Sequence, residues 1–257
     1  MIRLFQRLVP TLLVLVAITP VAHAAEPVTI AAAADLQYAL RDIVSRYRMH
    51  HPDADVRTSF GSSGNFFAQI RNGAPFDIFF SADVTYPDLL RKEGLTATSP
   101  VVYGVGRVVL WTRSDSGIDV SKGLTALLDP RVTRVAIANP AHAPYGQRAK
   151  ESLQHAGLWE RIQPKLVLGE NISQSAQFVQ TGNAQAGIVS LSLALAPAMK
   201  DGRYLLLDPS THKPLEQGYV LLKRAGGNGE ARRFAAFLET KEAREILKGY
   251  GFGVPAM

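Results

Sequence analysis

The sequence predicts an α/β fold of two lobes, each a mixed, mostly parallel sheet covered by helices, with a cleft between them. Three observations carry this reading. Strand-like and helix-like periods alternate along nearly the whole chain, the pattern of parallel-rich sheets with helices on both faces. Two runs of small residues, Ala31–Asp35 and Phe60–Gly64, each stand between a strand-like and a helix-like segment, where such folds leave room for a ligand. A glycine-broken apolar run from Val101 to Thr112 offers a crossing to a second lobe, and the stretch before Gly218 offers the return. Two crossings make a hinge.

In order, Pro27–Ala32 reads as a strand, and Leu36, Leu40, Ile43, Val44 and Tyr47 follow at helical spacing. Ala54–Phe60 alternates as a strand, and a helix through Phe67 and Ile70 stops at Gly73. Phe76–Phe80 is a buried-type strand and Tyr86–Lys92 a short helix before Gly94. Beyond the Val101–Thr112 run, Leu124–Leu128 is helical, Arg134–Ala138 a strand, and Gln147–Ala156 a helix stopped at Gly157. Lys165–Leu168 is a strand, then Ile172 to about Gln180 a helix. Ala186–Val189, Tyr204–Leu207 and Gly218–Leu222 are strands, and helices at Glu230–Leu238 and Lys241–Lys248 close the chain. This organisation gives a first lobe of residues 25–104 plus 218–257 and a second lobe of residues 105–217.

Residues 1–24 read as an export leader: Arg3 and Arg7, the apolar run Leu12–Ile18, then Ala22-His23-Ala24 as an A-x-A cleavage pattern. That run is shorter than the roughly 20 residues a membrane span needs. The 257-residue chain has no cysteine, which excludes disulfides, cysteine-ligated metal and a thiol nucleophile, and fits a bacterial periplasm. The formal charge of +6 falls by two when Arg3 and Arg7 leave with the leader. The remaining basic residues are scattered without interleaved aromatics, so no nucleic-acid partner is expected.

The first residues of a helix have N–H groups without internal partners and a partial positive charge, so a helix start is an anion site in waiting. Ala34 and Asp35 open one such start, and Asp35 is placed to cap the helix from Leu36, with its carboxylate turned away from an anion. Ser62 and Ser63 add hydroxyl donors at a second. Pro144-Tyr145-Gly146 and Asn171-Ile172 open a third and a fourth. Each alone is an ordinary cap; four after strands point to an oxyanion pocket. Competing chemistries lack their motifs: there is no G-K-[ST] P-loop and no G-x-G-x-x-G. The serine elbow G-x-S-x-G is broken by Asn65. His50 and His51 are adjacent without a third ligand, and His142, His155 and His212 are isolated. No catalytic residue, cofactor or structural metal site is expected.

The ordered set Ala31–Leu36, Phe60–Ser63, Asp77–Asp83, Asn139-Pro140 with Pro144-Tyr145-Gly146, Gly187-Ile188-Val189 and Tyr250-Gly251-Phe252 resembles the periplasmic molybdate-binding proteins of molybdenum ABC transporters. The resemblance runs over residues 25–254. It implies a type II periplasmic binding protein fold and a non-enzymatic role. The protein would be an exported monomer that captures molybdate or tungstate and hands it to a membrane-embedded ABC permease. The ligand set it implies is Ala34 or Asp35, Ser63, Tyr145 and Ile172, with Ser62 in the same turn. Ser190 is a further candidate, standing where some members carry a tyrosine. Neutral donors suit a fully deprotonated oxyanion, so sulfate is an alternative. Hydrogen phosphate is another, with Asp35 as the acceptor its proton needs. A secreted serine hydrolase using Ser62 or Ser63 is the remaining alternative.

Overall fold

The computed structural model describes residues 26–255; the expected leader and its cleavage site lie outside them. The first lobe begins with β1 (Val28–Ala33), a 3-10 turn at Ala34–Leu36 and α1 (Gln37–His50). It continues through β2 (Val56–Gly61), α2 (Ser63–Arg71), β3 (Ile78–Ser81) and α3 (Thr85–Lys92). The Val101–Thr112 run is then two strands, β4 (Val101–Gly106) and β5 (Val108–Arg113), separated by Arg107 alone. They belong to different sheets, so the chain crosses between lobes at this point.

The second lobe continues with β6 (Val135–Ala138), α4 (Pro144–His155), α5 (Trp159–Ile162) and β7 (Leu166–Gly169). After these come α6 (Ile172–Gln180), β8 (Ala186–Ser190), α7 (Leu191–Ala194) and β9 (Gly202–Leu206). The return strand β10 (Leu215–Leu221) rejoins the first sheet, and α8 (Gly229–Leu238) and α9 (Lys241–Gly249) pack on that lobe. The expected helix at Leu124–Leu128 is part of a longer 3-10 stretch, Val120–Leu128, broken at Gly123 where φ is +62°. The four-residue helices α5 and α7 were not expected, since one turn is too short to show a period.

The strand orders are β2-β1-β3-β10-β4 and β7-β6-β8-β5-β9. In the first sheet β10 is antiparallel to both neighbours, while β1, β2 and β3 are mutually parallel. In the second, β5 is the reversed strand. Each sheet therefore holds one reversed strand, and in each it is the first strand laid down after the chain crosses over.

Successive residues of a strand serve opposite faces, and β1 does so with alanines. Ala32 packs in the cluster with Leu40, Phe80 and Phe234, whereas Ala31 joins Phe66, Phe79 and Leu90. The buried stripe Leu40, Ile43, Val44, Tyr47 seats α1 on the first of these faces. The second lobe has its own core around Trp111, Leu127, Ile137 and Leu153, and this core extends to Ala33, Ala34 and Ala82 of the first. The lobes thus meet where the carboxyl ends of β1, β2 and β3 meet those of β6 and β7. No helix among the described residues is long and apolar enough to cross a membrane.

Candidate functional site

At this meeting point a small cavity is lined by Ala34, Asp35, Ser62, Ser63, Tyr145 and Ile172, with Ala33, Gly61, Ala82, Ala143 and Pro144 completing the wall. All four expected helix starts converge there, two from each lobe. Ser63, Tyr145 and Ile172 occupy the first or second helical position of α2, α4 and α6, so their amides have no intrahelical acceptor. Neither α2 nor α4 is capped by a side chain. In α6 the Asn171 side chain accepts from Gln174 N–H, two positions beyond Ile172, and leaves the Ile172 amide uncovered.

The hydroxyls are committed differently. Ser63 Oγ accepts from the Ala82 amide at 3.0 Å, which leaves the serine's own proton free to donate. Ser62 Oγ lies 2.9 Å from His142 Nδ1 of the opposite lobe. The His142 carbonyl accepts from Gly64 N–H at 2.9 Å, and a Cβ at Gly64 would stand 2.6 Å from that oxygen. Serine nucleophiles take their base through Nε2, with the acid on Nδ1. Here Ser62 meets Nδ1, and Glu170 stands 3.8 Å from Nε2, too far to hydrogen-bond.

Ser190 lies elsewhere: it does not line the cavity. It is the N-cap of α7, its hydroxyl accepting from the Leu193 amide at 3.3 Å and lying 3.0 Å from Ser192 Oγ. Ser192 in turn donates to the Asp35 carbonyl at 2.8 Å, a bond between lobes.

Asp35 departs from its expected capping role. The N-cap of the 3-10 turn is Ala33, which makes no side-chain cap bond, and Asp35 is the second residue of that turn. Its carboxylate enters a buried polar group instead. Oδ2 accepts from Gln217 Nε2 at 2.8 Å; the same nitrogen lies 3.1 Å from the Tyr145 hydroxyl, and Gln217 Oε1 accepts from Tyr103. Oδ1 is buried without a partner. Gly106 makes room for this group, since a Cβ there would lie 2.3 Å from the Tyr145 hydroxyl. Burial pushes the Asp35 carboxyl up to about 6, against the opposing pull of Gln217, Tyr145 and the local backbone. Burial and the neighbouring carboxylate also hold the Tyr103 and Tyr145 hydroxyls well above their ordinary range, so both remain protonated. Gln217 and His142 carried no signal in the sequence beyond being isolated polar residues; only long-range packing brings them here.

The model for bacterial extracellular solute-binding proteins matches residues 28–253. The molybdate-binding protein ModA of Rhodobacter capsulatus is 40% identical over 198 residues, 77% of each chain. That of Azotobacter vinelandii is 38% identical over 239 residues, 91% of this chain and 92% of its own. Among solved structures, the A. vinelandii periplasmic molybdate-binding protein superposes with a TM-score of 0.82 at 28% identity, over 89% of this chain and 100% of that one. The sulfate-binding protein SubI of Mycobacterium tuberculosis, with a TM-score of 0.72 at 15% identity, shares the fold.

Proposed function

The chain belongs to the bacterial extracellular solute-binding proteins, and from that premise we propose that it captures molybdate, and tungstate with it, for delivery to an ABC permease. The observation that carries this is the convergence of four helix starts, two from each lobe, on one small cavity. In this reading Ala34, Asp35, Tyr145 and Ile172 act through main-chain N–H groups, Ser63 through its amide and hydroxyl, and Ser62 from the same turn. They donate hydrogen bonds to oxo groups, and no side chain coordinates the metal atom. Ser190 holds the α7 turn behind the site rather than touching the ion.

The lobes divide at residues 25–104 with 218–257 against 105–217, the ends of β4 and β10 reaching past these limits into the first sheet. The protein acts without catalysis, as an exported periplasmic monomer that closes on its ion. Binding through neutral donors without a cation suits an ion fully deprotonated at neutral pH, whereas hydrogen phosphate would need Asp35 to accept its proton.

Thermal unfolding with each anion tests the assignment, because a ligand specific to the folded state raises stability by RT ln(1 + [L]/Kd). Molybdate and tungstate at 100 times Kd are expected to add about 2.7 kcal/mol, with sulfate and phosphate at the same concentration giving far smaller shifts. Equal shifts for sulfate and molybdate would sink the assignment, and native mass spectrometry of protein exposed to mixed oxyanions would name the ion actually held.

A further inference from the structure

Asp35 lines the anion cavity, and its buried carboxylate beside that cavity is the one feature of this site that the capture of a dianion does not explain. Asp35 is 1% exposed and one of its two oxygens has no hydrogen-bond partner. The titratable groups that face it are Tyr145 from α4 and Tyr103 from β4, both protonated. From β10 comes neutral Gln217, and from the turn after β8 neutral Ser192 on its carbonyl. No cation contributes to its environment. Only neutral donors offset a negative charge at Asp35, namely Gln217, the Tyr145 hydroxyl and the local backbone, and burial outweighs them even before a second anion shares the cavity.

We propose that oxyanion capture is linked to the uptake of one proton by Asp35, so that the carboxyl is neutral when the ion is bound. The inference rests on the molybdate reading above and adds its proton stoichiometry. Two negative groups in a closed, poorly solvated cavity repel strongly, and the cheaper outcome is neutralisation of the one that can take a proton. Molybdate at neutral pH has little tendency to do so. The empty protein is already poised for it, because burial outweighs the hydrogen bonds to the carboxyl and lifts it to about 6, and an adjacent dianion lifts it further. Gln217 stays bonded to Oδ2 in either state.

The sign follows from linkage. A group that holds more proton in the bound state than in the free state makes affinity fall as pH rises between its two pKa values. Binding is therefore strongest where free Asp35 is already protonated, and weakens above about pH 6. One linked proton sets the limiting slope at about tenfold in Kd per pH unit.

Titration calorimetry with sodium molybdate from pH 6.5 to 8.5, repeated in buffers of different ionisation enthalpy, measures both the slope and the protons taken up. The full-length mature protein is expected to lose roughly a hundredfold in affinity across that range and to take up close to one proton per molybdate at the alkaline end. Asp35→Asn keeps an acceptor for Gln217, and is expected to give a flat profile with no proton uptake. Ser63→Ala should bind more weakly at every pH yet keep the wild-type slope.

A flat wild-type profile without proton uptake overturns the proposal while leaving molybdate capture intact. Unchanged uptake in Asp35→Asn also overturns it, by placing the proton elsewhere. The wild-type buffer series alone reads the proton count, so an Asp35→Asn protein that fails to fold does not remove the test. Absence of molybdate binding at any pH overturns the assignment of the ion and this inference together.

Discussion

Ser63 and Ser190 are both fully buried at strand-to-helix junctions, and their hydroxyls are nonetheless committed to different tasks. Ser63 accepts one bond from Ala82 and keeps a proton for the cavity, whereas Ser190 spends its oxygen on the start of α7. A hydrogen bond to a charged group is worth about 1.5–3 kcal/mol, so Ser63→Ala is expected to raise the Kd for molybdate at least about tenfold. Ser190→Ala should change it less than about threefold, and should instead lower stability by about 1 kcal/mol through the lost cap. Calorimetry and thermal melts on the two variants read both quantities. The reverse order of affinities would show that Ser190, and not Ser63, touches the ion. Sequence placed Ser63 at a helix start and Ser190 only after a strand, and which hydroxyl remains free depends on Ala82 and Leu193, which no spacing rule predicts.

At the scale of elements, three of the helix starts around the cavity leave their first amides without a side-chain cap. The 3-10 turn, α2 and α4 begin at Ala33, Ser62 and Ala143, none of which caps with its side chain. Far from the cavity, Asn228 and Thr240 cap α8 and α9. A capping side chain would occupy the amides that an anion needs. In α6 the two demands coexist, because Asn171 serves Gln174 and leaves Ile172 uncovered. Asn171→Ala is expected to cost about 1 kcal/mol in chemical denaturation, with a severalfold loss of molybdate affinity as the α6 start frays. A variant as stable as wild type, binding as tightly, would show that Asn171 carries neither role. The sheets were legible from alternation of period, since the central strands β1, β3, β5, β6 and β8 are apolar and buried and the long helices show buried stripes. The reversal of β5 and β10 was not, because strand direction is set by how the crossings route the chain.

For the whole molecule, the bonds that hold the lobes together ring the cavity. Ser192 donates to the Asp35 carbonyl, Gly64 to the His142 carbonyl, and Ser173 to Gln37 at 2.9 Å. Arg148, nearly buried, pairs with Asp83 across the cleft at 3.2 Å. Closure at Gly64 tolerates no side chain, because backbone faces backbone there. Gly64→Ala is therefore expected to hold the lobes apart and to weaken molybdate binding at least about tenfold, leaving the melting temperature of the empty protein nearly unchanged. Small-angle scattering with and without molybdate would then show no compaction in the variant. Wild-type affinity with normal compaction would mean the lobes close by another route.

The sequence by itself determined the α/β class, the two crossings and the four small-residue helix starts, because these are written in local periods, turns and caps. The family resemblance added the ion those starts would hold. Only the tertiary structure decided that the four starts share one cavity, that Ser190 stands behind it, and that Asp35 sits buried beside Gln217 without a compensating cation. Gln217 lies 182 residues from Asp35 along the chain. Such a pairing leaves no local trace, and the environment that makes a buried carboxylate take up protons exists only once both lobes have packed around it.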